Sequence, residues 1–169
     1  MDENKAQGLR LAAVLVPDPQ ASRARAAMRG HVAGGAHRVH FVKERPARRR
    51  AILATIAGLG VIAVVIEAPA GCRASEQRHA AISELTRWAC AMGAHRIVIE
   101  RDENSVALDR RVIEAALAEL PARSELEYAH VPGRSEPLLW IADAVAWSWS
   151  RGGAWRQLVE LMGTTVIRA

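Results

Sequence analysis

The chain reads as an α/β layer fold with a mixed or largely parallel sheet, and three observations predict it. Short runs of β-branched and aliphatic residues alternate with longer segments of helical periodicity. One run, V-I-A-V-V-I at Val61 to Ile66, is continuously apolar, the pattern of a strand covered on both faces. Gly and Pro punctuate most of the junctions.

Taken in order, Gly8 precedes the strand-length run L-R-L-A-A-V-L-V, which stops at Pro17. Asp18 and Pro19 then predict an N-cap and first-turn proline, opening a helix that runs to about Met28. Gly30, Gly34 and Gly35 interrupt the chain. Arg38 to Val42 has the alternation of a short strand, with Val39 and Phe41 on one face and His40 on the other. Pro46 reopens helix, with Ile52, Leu53, Ile56 and Leu59 at helical spacing and Gly58 and Gly60 near its end. After the apolar strand, a helix from about Ala74 to Met92 carries Ile82, Leu85, Trp88, Ala89 and Met92 on one stripe, with Gly93 placed to cap it.

The strand His95 to Glu100 follows and ends in an acid. Asn104 or Ser105 is expected to cap a helix bearing Leu108, Val112, Ala116 and Leu120, which Pro121 ends. Leu126 to His130 predicts a strand, and Thr164 to Ile167 an edge strand. Between them Pro137 opens a helix, P-L-L-W-I-A-D-A-V-A-W-S-W-S, whose only charge is Asp143. Because this helix is apolar nearly all round, Asp143 is expected to be buried. A buried carboxylate costs several kcal/mol unless it is paired, protonated or bound to metal. An arginine or backbone N–H partner explains such an acid as readily as a functional role does.

At 169 residues the chain is expected to form a single domain, 1–169. Half the residues are hydrophobic and 24% charged, a composition that argues against extensive disorder. The formal charge of +5 is carried almost wholly by arginine, since Lys5 and Lys43 are the only lysines. Arginine suits phosphate, although a GC-rich genome also produces Arg-rich, Ala-rich chains, so nucleic acid is the partner this charge favours only weakly. Cys72 and Cys90 form neither a CxxC motif nor a disulfide framework. The polar, acid-bearing start is unlike a secretion signal, and the uncharged stretch Ala51 to Ile66 is shorter than the roughly 20 residues of a membrane helix; a cytoplasmic protein with no membrane partner is expected.

Carboxylates from separate elements are what a site for two Mg²⁺ or Mn²⁺ ions requires. Asp2 and Glu3 precede the first clear strand, Glu100 ends a strand beyond which ligands of such sheets sit, and Asp143 lies on the C-terminal helix. Asp102, Glu103 and Asp109 follow Glu100 closely. The spacing by itself is weak, because any chain with 18 acids offers such sets.

Four blocks in order, D-E-N-K at the start, H-F-V-K-E-R at His40 to Arg45, R-I-V-I-E-R-D, and E-P-L-L-W-I-A-D-A-V-A-W, together resemble the bacterial family known as domain of unknown function 3800. The resemblance runs over almost the whole chain, and its most telling block is the last. It implies a ribonuclease-H-like three-layer fold with a mixed central sheet, and a metal-dependent nuclease acting on phosphodiesters. Carried over by position, Asp2, Glu100 and Asp143 would be the metal ligands, Mg²⁺ or Mn²⁺ the cofactor, and Asp109 and Glu44 secondary acids. His40 and Lys43 would contact phosphate or shuttle a proton. The family's opening acid follows several apolar residues, whereas Asp2 follows only Met1, and Asn4 stands where the family has Ser.

Arg45, Arg48 and Arg49 are candidates for binding the nucleic-acid backbone, alongside the plainer reading of a solvated helix face. A non-catalytic nucleic-acid-binding or regulatory module of the same fold is the alternative function. Trp140, Trp147, Trp149 and Trp155 would serve either a core or a homodimer interface.

Overall fold

The computed structural model describes residues 8–120 and 126–169. Its elements are β1 (Arg10–Leu15), α1 (Asp18–Arg29), α2 (Pro46–Ala57), β2 (Ile62–Glu67), α3 (Ala74–Ala91), β3 (Arg96–Glu100), α4 (Val106–Ala118), β4 (Glu127–Val131), α5 (Leu138–Arg151), α6 (Gly153–Glu160) and β5 (Thr165–Arg168). This is a mixed α/β chain. The described strands form two hydrogen-bonded sets, β1-β2-β5 and β3-β4, rather than one continuous ladder.

The chain divides into two compact units. The first comprises Met1–Leu11, Ile66–Val131 and Val166–Ala169, and the second Ala12–Val65 and Pro132–Thr165. In the first unit β3 and β4 pair in parallel, from Arg96 opposite Glu127 to Glu100 opposite Val131, joined by the crossover helix α4. Helix α3 packs on α4. It starts with Glu76 accepting a hydrogen bond from the Arg73 N–H at 2.9 Å, half of a capping box. It ends as expected at Gly93, whose φ of 68° lets the Ala94 N–H reach back to the Ala89 carbonyl at 2.9 Å.

The second unit has its core where α1, α2 and α5 meet one face of β2. Met28, Phe41, Ile52, Leu53, Ile56, Val65, Ile141 and Val145 are all buried there. Ile52, Leu53 and Ile56 are the stripe their spacing predicts. Val64 and Ile66 on the opposite face of β2 are also buried, so the continuous apolar run is covered on both faces as read.

Three expectations need correction. Residues 38–42 make no strand: Phe41–Lys43 is a 3-10 turn. The backbone donors there are satisfied locally, Lys43 N–H by the His40 carbonyl and Glu44 N–H by the Phe41 carbonyl, so a sheet partner is not required. Asp18 is the first residue inside α1 rather than its cap, and Pro17 takes the cap position. Ser105 occupies the cap position of α4, yet its hydroxyl donates to Asp102 Oδ2 at 2.7 Å and caps nothing. Helix α6, for which the sequence reading offers no element, follows Gly152, and its Trp155, Leu158 and Val159 carry helical spacing.

Pro121, the expected end of α4, lies outside the described residues. No helix among the described residues is long and apolar enough to cross a membrane.

Candidate functional site: a basic pocket in the second unit

Two segments of the second unit line an open pocket of ≈ 530 Å³, residues 36–40 without Val39 on one side and Pro132, Gly133 and Arg134 on the other. Ala36, Pro132 and Gly133 line it together with the basic or imidazole-bearing His37, Arg38, His40 and Arg134. None of the described lining residues is an acid. Arg38 donates its Nε–H to His40 Nε2 at 2.9 Å, and its Nη2 lies 3.1 Å from His40 Nδ1, so guanidinium and imidazole form one wall.

Both segments are held by contacts behind the pocket. The Arg134 loop is a turn in which the Ser135 N–H and hydroxyl both donate to the Pro132 carbonyl, at 2.9 and 2.6 Å. The buried indole of Trp140 donates to the Gly133 carbonyl at 2.6 Å. Glu136, next in the chain, receives Arg25 in a fork of 3.0 Å contacts to each carboxylate oxygen and a third of 3.2 Å, and also accepts from the Leu138 N–H at 3.1 Å. The Glu136 hydrogen bonds raise the Arg25 pKa against the opposing effect of burial. On the other side, Phe41 is fully buried, and its N–H donates to Asp143 Oδ2 at 3.3 Å.

That contact relocates Asp143. The expected buried acid is exposed on α5, whose buried face is Trp140, Ile141, Ala144, Val145, Ser148 and Trp149. The helix is apolar nearly all round, but alanines at Ala142 and Ala146 are small enough to sit half-exposed, and the charge follows the solvent side. Its carboxylate anchors the residue next to His40.

The other sequence candidates are dispersed. Lys43 and Arg45 are exposed near the pocket's own segment. Arg48 is engaged within the fold, with Nε 2.6 Å from Glu44 Oε2 and Nη2 donating to the His31 carbonyl at 2.6 Å. Arg49 donates to the carbonyls of Phe41 and Val42 and lies 4.0 Å over the Trp147 ring. These two arginines hold α2 against the 3-10 turn and α5, so their donors serve packing. Glu100, in the first unit, is an exposed strand end opposite Val131. Asp2 lies outside the described residues.

Asp109, also in the first unit, is fully buried in the first turn of α4. Arg78 reaches it from α3 through two hydrogen bonds of 2.7 and 2.8 Å, and His130 of β4 meets Oδ2 at 2.9 Å. Burial pushes its carboxyl up, but the hydrogen bonds and charges of Arg78 and His130 outweigh this and hold it below the usual carboxylate range. It reads as the anchor of a structural ion pair.

The tryptophans are largely internal. Trp140 and Trp149 are buried, Trp147 stands edge-on to Phe41 and to Trp155, and Arg156 lies 3.9 Å over Trp149. Compositional reading missed His37, Arg38 and Arg134; the signal available was the R-V-H pattern beside the His40 block, but nothing in the chain joins it to Arg134. The chain matches no family model, no curated protein and no solved structure.

Proposed function

We propose that this protein binds the phosphates of nucleic acid through the basic pocket of its second unit. The observation that supports this reading most is that His37, Arg38, His40 and Arg134 line one open pocket with no acid among its described lining residues. A cavity of one charge sign with low-dielectric walls concentrates counter-charge, and arginine forks match phosphate oxygens. The exposed Lys43 and Arg45 add positive charge nearby in sequence.

A ribonuclease-H-like nuclease is the second reading, favoured by the order of motifs that places Asp143 in the Ala-Asp helix. Among the described residues, no group of three or more His, Cys, Asp or Glu side chains is placed to hold a metal ion. Asp143 accepts from the Phe41 N–H and Asp109 is committed to Arg78 and His130. The described residues therefore do not by themselves compose a site for Mg²⁺ or Mn²⁺, and the binding reading takes precedence.

One panel tests both. Labelled single-stranded and duplex DNA, RNA and hybrid oligonucleotides are titrated with protein by fluorescence anisotropy at graded salt, then incubated with Mn²⁺. Binding that weakens with salt and falls severalfold in Arg38→Ala and Arg134→Ala is expected, because neutralised phosphates release counterions. Affinity indifferent to both substitutions would overturn the binding reading. Cleavage by the wild-type chain, lost in an Asp143→Asn variant whose circular dichroism matches the wild type, would establish the nuclease; asparagine keeps an oxygen acceptor for the Phe41 N–H.

A further inference from the structure

We infer that a second face of the same unit stacks an unpaired base, which makes single-stranded nucleic acid the ligand class. This rests on the nucleic-acid reading above and specifies the form of strand it takes.

The face is a ladder of guanidinium groups and aromatic rings contributed by α2, α5 and α6. Arg49 of α2 lies 4.0 Å over the Trp147 ring of α5, and Arg50 lies 5.3 Å over the Trp155 ring of α6. The two rings meet edge to face with centroids 5.5 Å apart, and Trp147 stands edge-on to the buried Phe41 at 5.4 Å. The inner rung is committed to the fold, because Arg49 also donates to the carbonyls of Phe41 and Val42. The outer rung is open. Arg50 is exposed and, among the described residues, makes no hydrogen bond or ion pair beyond its contact with Trp155.

A guanidinium is planar and weakly hydrated, so one held over an aromatic ring offers its outer face to a second π system. Nucleic-acid bases stack on such planes as they do on aromatic side chains. In a duplex both faces of a base are already taken by its neighbours, whereas an unpaired base can be splayed onto the protein.

Charge points to the same ligand. Lys43 and Arg45 are exposed just before α2, and Arg45 lies one helical turn from Arg49. The acids beside them are Glu44, 2.6 Å from Arg48 Nε, and Asp143, which accepts from the Phe41 N–H. Lys43, Arg45, Arg49 and Arg50 leave the face positive, as the phosphates flanking a stacked base require. An acidic peptide would match the charge but brings no base to the outer rung.

The test measures anisotropy at fixed ionic strength for a labelled DNA single strand, an abasic strand of the same length and an oligoglutamate peptide of matching charge. The base-bearing strand should bind at least about fivefold tighter than the abasic one, the gain one stacked base supplies. Arg50→Lys keeps the charge and removes the plane, so this preference should vanish while abasic affinity stays, in a variant whose circular dichroism matches the wild type. Arg38→Ala and Arg134→Ala should instead weaken both strands alike. Equal affinity for the two strands, or a preference that survives Arg50→Lys, would overturn this inference, and phosphate binding would stand if the pocket variants still weaken it. The peptide bound as tightly as the single strand would assign the face to acidic protein and overturn the inference. Binding to neither strand would overturn both readings.

Discussion

Replacing Asp109 by asparagine should destabilise the fold by about 3–5 kcal/mol at pH 7, the cost of breaking a buried ion pair by removing one partner. The carboxylate is fully buried and accepts two hydrogen bonds from Arg78, at 2.7 and 2.8 Å, with His130 Nε2 at 2.9 Å. Hydrogen bonds to charged groups each contribute about 1.5–3 kcal/mol, and the desolvation of Asp109 offsets part of their sum. Asparagine preserves the shape but presents an amide N–H₂ to one of these donors and leaves the guanidinium uncompensated.

The assay is urea denaturation followed by far-UV circular dichroism between pH 3 and pH 8. The pKa of Asp109 is depressed in the folded state, so its stabilisation is complete above its ordinary value near 3.8 and disappears as pH falls through the folded value. The gap between wild type and Asp109→Asn should therefore be constant from pH 8 to about pH 5 and narrow below about pH 4. The double variant Arg78→Met, Asp109→Leu removes both charges and should recover much of the loss. A cost below about 1 kcal/mol at pH 7, or a gap that does not narrow in acid, would refute the assignment of Asp109 to a structural ion pair.

Gly8→Ala should lower stability by about 2 kcal/mol, read by the same denaturation. Gly8 has a φ of 76°, and an added Cβ would lie 2.6 Å from the Ala68 carbonyl oxygen. Glu136→Gln should cost about 1 kcal/mol, because the Arg25 fork is partly exposed and screened. The same variant should weaken oligonucleotide binding by loosening the loop that presents Arg134. Unchanged affinity would show that the Arg25–Glu136 pair does not position the pocket.

Much of the local structure was legible from pattern. The stripe Ile52, Leu53, Ile56, the two-faced strand at β2, the Gly93 cap and the proline-opened α2 each depend on residues within one or two turns of one another, where periodicity and backbone preference decide the outcome. Asp143 shows the limit of that reasoning. Its helix looks apolar all round, yet burial is set by which side of α5 meets α1 and α2, and two half-exposed alanines leave the acid on the solvent side. Residues 38–42 alternate like a strand but found their hydrogen bonds in a tight turn and in a carboxylate 102 positions away. The pocket itself joins His37, Arg38 and His40 to Arg134, and Asp109 finds Arg78 and His130, across separations that no local pattern encodes. Side chains far apart in the chain meet only because the hydrophobic faces of their elements pack, and that packing is a property of the whole fold rather than of any segment.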